Sequence, residues 1–170
     1  MAYLLDTQVV SYFLQARRQN ELAAAAAAVK CTIVDEVRGE LAADPARGQL
    51  FERWLPSSHF EVIDIALGSP ADAVLAGLQT GIIAKGGRGE RASIALAATS
   101  PELVFTCMDR GGIWIALREL WAPGERLIAL AVFLRRLVDA GALDGNTADD
   151  VMRHSNHVLP TWWADWRVRR

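Results

Sequence analysis

Tyr3-Leu4-Leu5-Asp6 opens the chain with three large apolar residues and stops abruptly on an acid. The run is too short for a helix and has no polar face, so it reads as a strand buried on both sides. Residues 7–17 follow with Val9, Val10, Phe13 and Leu14 at helical spacing, and Arg17 and Arg18 near the end suit the helix dipole. Asn20 is placed to cap a second helix over 21–29, whose six consecutive alanines favour tight helix packing. The alternation then repeats. A strand over 31–34 passes into a helix over 35–43, Asp44-Pro45 breaks it, and a short helix over 47–55 stops before Pro56. Period-two alternation predicts a third strand over 60–65. Ser69 and Pro70 then provide the cap and first position of another helix. Gly86-Gly87-Arg88-Gly89 is a loop before a helix beginning near Glu90, and a fourth strand over 103–106 delivers the chain to Asp109. Strands and helices alternating in this way predict a three-layer α/β/α sandwich with a short, mainly parallel sheet.

After Leu120 the pattern changes. Residues 125–140 and 147–157 read as helices, and the end is aromatic and basic, with Trp162, Trp163, Trp166, Arg167, Arg169 and Arg170. No repeat or long linker marks a second fold, so 1–120 is read as the main domain and 121–170 as a helical extension packed on it. The stretch 127–134 and the alanine run are read as core or interface faces.

Composition narrows the function classes. The chain has 170 residues, 52% hydrophobic and 22% charged, enough for one domain with a sizeable core. Lys plus Arg numbers 18 against 20 for Asp plus Glu, a formal charge of −2. No global positive field attracts nucleic acid, so any such contact needs a local patch. Cys31 and Cys107 are far apart without metal spacing; they read as buried small hydrophobes and suit a reducing compartment. No apolar run approaches the roughly 18 residues of a membrane span, and the start lacks a basic segment followed by an apolar one, so a cytoplasmic protein with no membrane partner is expected.

The acids fall at informative places. Asp6 ends the first strand, Glu36 and Glu40 follow the second on one helix face, Glu90 opens a helix after the glycine loop, and Asp109 follows the fourth strand. In an open parallel sheet, strand C-termini gather at one edge, where ligands bind. Carboxylates gathered there repel unless a proton or a cation offsets the charge. Oxygen donors without histidine or cysteine select Mg²⁺ or Mn²⁺, and such a centre suits phosphodiester hydrolysis.

Four segments carry a resemblance: LLDTQVVSYF (4–13), VDEVRGEL (34–41), GERASIALA (89–97) and FTCMDRGG (105–112). In order and separation they resemble the acidic motifs of PIN domains, over roughly residues 2–120. The resemblance implies a Mg²⁺- or Mn²⁺-dependent ribonuclease, of a kind often found as the toxin of a toxin–antitoxin pair. An RNA substrate, a cognate protein antitoxin and a homodimer are the partners it implies. Asp6 matches the first acid, Glu40 the second better than Glu36, Glu90 the third and Asp109 the fourth. By the same resemblance Asp6 and Asp109 ligate the metal most directly, Glu40 and Glu90 complete the sphere or orient the attacking water, and Thr7 hydrogen-bonds within the first motif. Arg88, Arg110 and Glu36 are secondary candidates, and Lys85 and Arg91 lie where they could touch a phosphate backbone.

The chain departs from that pattern at three places. Gln8 stands where Asn or Ser is usual, Cys107 where Thr usually precedes the last acid by two residues, and Gly111-Gly112 where side chains are more common. These departures keep a catalytically weak or inactive nucleic-acid- or protein-binding module in view. A DNA nuclease or a phosphatase could use the same acids. The remaining motifs read as structure: Gly86 to Gly89 lacks the Lys-Ser/Thr of a P-loop, His154 and His157 near Asp150 read as a solvated or capping pair rather than zinc ligands, and the tail tryptophans read as docking on the body or a partner rather than stacking on bases.

Overall fold

The computed structural model describes residues 2–80 and 87–168. Five strands form one wholly parallel sheet in the order β3-β2-β1-β4-β5. They are β1 (Ala2–Leu5), β2 (Cys31–Val34), β3 (Glu61–Ile63), β4 (Leu103–Thr106) and β5 (Leu127–Ile128). Every residue of β1, β2 and β4 is buried, as expected of strands covered on both faces. Leu5 pairs with Thr106 and Tyr3 with Cys31, so β1 lies at the centre of the sheet. The chain leaves β1 in one direction through β2 and β3, then returns to its other side with β4. That reversal puts a topological switch point at the C-terminal ends of β1 and β4, where Asp6 and Asp109 emerge.

Helices cover both faces, giving the three-layer α/β/α fold. They are α1 (Thr7–Gln15), α2 (Gln19–Ala28), α3 (Asp35–Ala42), α4 (Gly48–Trp54), α5 (Pro70–Thr80), α6 (Arg88–Thr99), α7 (Arg110–Glu119), α8 (Pro123–Arg126), α9 (Leu130–Asp139), α10 (Gly145–His154) and α11 (Trp162–Val168). Ser69 caps α5 as expected, its hydroxyl accepting from the Asp72 N–H at 3.1 Å. A 3₁₀ turn over Leu55–Ser57 continues past Pro56, which sits in its first positions. No described helix is long and apolar enough to cross a membrane.

Two local expectations are corrected. The helix expected over 125–140 is broken by β5, whose Leu127 and Ile128 pair with Phe105 and Thr106. Two residues are too few to show a period, and only the exposed edge of β4 makes them a strand. The second helix begins at Gln19 rather than after Asn20, because Arg18 is held from outside. Arg18 Nε donates to Asp150 Oδ2 of α10 at 3.1 Å, and Nη1 donates to Glu21 at 2.8 Å.

Residues beyond 120 share the same core. Phe133 of α9 meets Tyr3 of β1 edge to face at 5.1 Å, and Leu130, Leu134, Leu137 and Val151 are fully buried. The tail docks on this body. Trp163 Nε1 donates to Asp149 at 2.9 Å, Trp166 Nε1 donates to Asp139 at 3.1 Å, and Arg135 lies over the Trp162 ring at 5.3 Å. Buried Trp163 and Trp166 therefore cannot stack on bases. Arg169 and Arg170, like Lys85 and Gly86 of the glycine loop, lie outside the described residues.

Arg126 is an unusual member of the interior. It is 7% exposed and meets carbonyl oxygens rather than a carboxylate: Ser100 at 2.7 Å, Leu103 at 3.3 Å, Trp121 at 3.4 Å, and Ala97. Ala97 and Ser100 close the C-terminus of α6, where free carbonyls and the negative dipole end favour a cation.

Candidate metal centre

Asp6 directly follows β1 and is the N-cap of α1; its Oδ1 accepts from the Thr7 N–H at 2.7 Å. Asp109 holds the matching place after β4, capping α7 with Oδ1 2.9 Å from the Gly111 N–H. The capping role and a place in the site thus coincide in both residues. Glu40 comes from the second turn of α3 and is fixed at both oxygens. Oε2 accepts from the Thr7 hydroxyl at 2.6 Å and Oε1 from the Gly89 N–H at 2.7 Å. Glu90 lies in the first turn of α6 and is 5% exposed.

These four carboxylates line one cavity of about 270 Å³ together with Thr7, Gln8 and Gly87. Glycines make the approach possible. A Cβ at Gly112 would overlap the Glu90 carboxylate, and one at Gly89 would lie 2.8 Å from Glu40 Oε2 and 2.9 Å from Val37. The absence of a side chain at Gly112 leaves the space that Glu90 occupies.

The other candidates stand further off. Glu36, one turn before Glu40, does not line the cavity, and its Oε2 is buried without a hydrogen-bond partner. Arg88 and Arg110 are exposed at the first positions of α6 and α7, beside the cavity rather than lining it. Arg91, also in the first turn of α6, is half-buried. His154 and His157 do not converge on Asp150: His154 Nδ1 lies 2.8 Å from the Asp150 carbonyl, and His157 Nε2 lies 3.4 Å from the Tyr12 hydroxyl.

One residue of the site was read from sequence as a small hydrophobe and a departure within the fourth motif, not as a ligand. Cys107 is fully buried, and its Sγ lies 3.8 Å from Glu90 Oε1. Ligating atoms of Asp6, Glu90 and Cys107 all fall within 4.8 Å of one another, the one such group among the described residues. This buried acid and cysteine cluster could hold a metal ion.

Burial is the main electrostatic cost here. It pushes the Asp6 carboxyl up to about 6; the Thr7 N–H opposes this, while the charges of Glu40 and Asp109 add to it. Burial pushes Glu90 up to about 7, helped by the charges of Asp6 and Asp109. The Cys107 thiol is also raised, first by burial and then by the acids around it. Between about pH 4 and 7 the metal-free native state therefore binds more protons at Asp6 and Glu90 than the unfolded chain, so their contribution to stability falls as pH rises. Thermal melts in EDTA should show Tm decreasing from pH 5 to pH 8, and saturating Mn²⁺ should flatten that decline. A Tm in EDTA that climbs across this window would contradict the cluster as described.

No family model, curated protein or solved structure matches the chain.

Proposed function

We propose that the chain is a PIN-type endoribonuclease that hydrolyses RNA phosphodiesters with Mg²⁺ or Mn²⁺ in this pocket. The observation that carries the reading is the meeting of four carboxylates, from four distant segments, in one cavity at the sheet's switch point. A buried set of like charges is tolerated only when protonated or neutralised, and the donors present fit a divalent cation.

When bound, the ion neutralises phosphodiester charge and makes its bound water more acidic. Asp6 and Asp109 hold it, each fixed by an N-cap contact that sets its rotamer. Glu40 already accepts from Thr7 and Gly89, so its orientation is predetermined and it suits aligning the attacking water. Glu90 completes the ligand set. Arg88 and Arg110, exposed beside the pocket, suit the neighbouring phosphates of a strand.

A toxin role with a protein antitoxin is the biological setting this reading implies. Trp114 and Leu117 on α7 and Trp121 just beyond it are exposed, the tryptophans by 74% and 80%, and support a protein partner, antitoxin or second copy, along α7. The deciding experiment is cleavage of a mixed RNA pool with Mn²⁺ or Mg²⁺, repeated in EDTA and with DNA or a small phosphate ester as competitor. Metal-dependent RNA cleavage is the expected result. Turnover of DNA or of the ester instead would reassign the substrate. Metal binding without turnover would favour the binding module that the changes at Gln8 and Cys107 suggest.

A further inference from the structure

We infer that Cys107 is itself a ligand in this pocket, and that it gives the site a preference for thiophilic divalent ions of the Zn²⁺ and Cd²⁺ type over Mg²⁺. The inference rests on the metal centre proposed above and adds the class of ion it takes.

Three observations support it. Cys107 has no solvent exposure and belongs to the apolar core, yet its Sγ meets polar oxygens of the site, Glu90 Oε1 at 3.8 Å and the Asp109 carbonyl at 3.7 Å. Its thiol, 3.8 Å from Oε1, is the one hydrogen-bond partner of the buried Glu90 carboxylate among the described residues, so the rest of that carboxylate lines the cavity without a partner. The separations also fit one ion. With Zn–S at about 2.3 Å and Zn–O at about 2.0–2.2 Å, two ligands of one ion span at most about 4.3–4.5 Å. Cys107 and Glu90 already satisfy that limit, and the full set, within 4.8 Å, needs a shift of only a few tenths of an ångström.

Sulfur changes the selectivity. Mg²⁺ keeps water and hard oxygens, whereas softer ions gain from thiolate coordination. The S–metal bond forms as the S–H proton leaves to buffer, and no electron is transferred. Cys31, the other cysteine, offers an internal contrast: it is buried in β2, and burial alone raises its pKa.

Cd²⁺ titration of the full-length, EDTA-stripped protein, followed by thiolate-to-metal charge-transfer absorption, tests the assignment. The band should appear in wild type and in Cys31→Ala and vanish in Cys107→Ser. Cys107→Ser should lose at least the about 10–100-fold in Cd²⁺ affinity typical of lost metal-site support, and by equilibrium dialysis lose less for Mn²⁺ than for Cd²⁺. With only two cysteines in the chain, the wild-type and Cys31→Ala spectra decide the matter even if Cys107→Ser fails to fold. A band lost with Cys31→Ala would overturn the assignment. Binding of both ions without a band would also overturn it and leave an all-oxygen centre standing. Failure of every ion to bind would instead remove the metal centre itself.

Discussion

Asp6→Asn is expected to abolish Mn²⁺-dependent RNA cleavage, by about 100-fold or more, and at the same time to stabilise the metal-free protein. The loss follows from removing an anionic ligand where transition-state charge must be neutralised. The gain follows from the same burial. Asn keeps the oxygen that accepts from the Thr7 N–H at 2.7 Å, but removes an ionised group 3% exposed among Glu40, Glu90 and Asp109. An acid raised to about 6 is disfavoured in the fold at pH 8; at about 1.4 kcal/mol per pK unit, relieving it contributes about 2–3 kcal/mol. For a chain of this size that is a Tm increase of roughly 4–12 °C in EDTA. Asp109→Asn should lose cleavage with little change in Tm, since Asn caps a helix as well as Asp does. A destabilised Asp6→Asn that still cleaves would refute both halves of the prediction.

Arg126→Ala should be the most damaging substitution outside the pocket, lowering stability by about 3–4 kcal/mol. Its guanidinium is buried and satisfied wholly by carbonyls of Ala97, Ser100, Leu103 and Trp121. Truncation removes those bonds, leaves a cavity, and exposes the C-terminal carbonyls of α6 to a dry interior. Lys at this position has the charge but only three donors and no planar fork, so Arg126→Lys should fall between wild type and Ala. Urea melts measure the difference. Because α6 carries Glu90 and β4 leads to Asp109, metal affinity should weaken in Arg126→Ala even at temperatures where the protein stays folded.

The central strands were legible because each is a four-residue, mainly apolar run with a sharp boundary, and the boundary of β1 is itself an acid of the site, Asp6. β5 was not legible, since Leu127-Ile128 sits in a stretch whose composition suits a helix equally well. Glu36 and Glu40 share a helix face, and spacing alone favours neither; the Thr7 hydroxyl and the Gly89 N–H select Glu40 in three dimensions. Cys107 escaped because a thiol ending an apolar run reads as packing. Its partner Glu90 lies 17 residues away, so the signal was only its place two residues before Asp109. Gly112 likewise gains meaning only when α7 lies beside the first turn of α6.

The central position of β1 also governs when the pocket can exist. Its first partner, β2, is made within 34 residues, but the opposite edge waits for β4 at 103–106, and β4 waits for β5 at 127–128. Parallel pairings between distant segments fold slowly, because the intervening loop must close before any contact rewards it. A nascent chain therefore carries Asp6 and Glu40 on the ribosome well before Asp109 and Cys107 can reach them. The ligand set is completed only once β4 and β5 have been made, so shorter nascent chains should be unable to hold the ion.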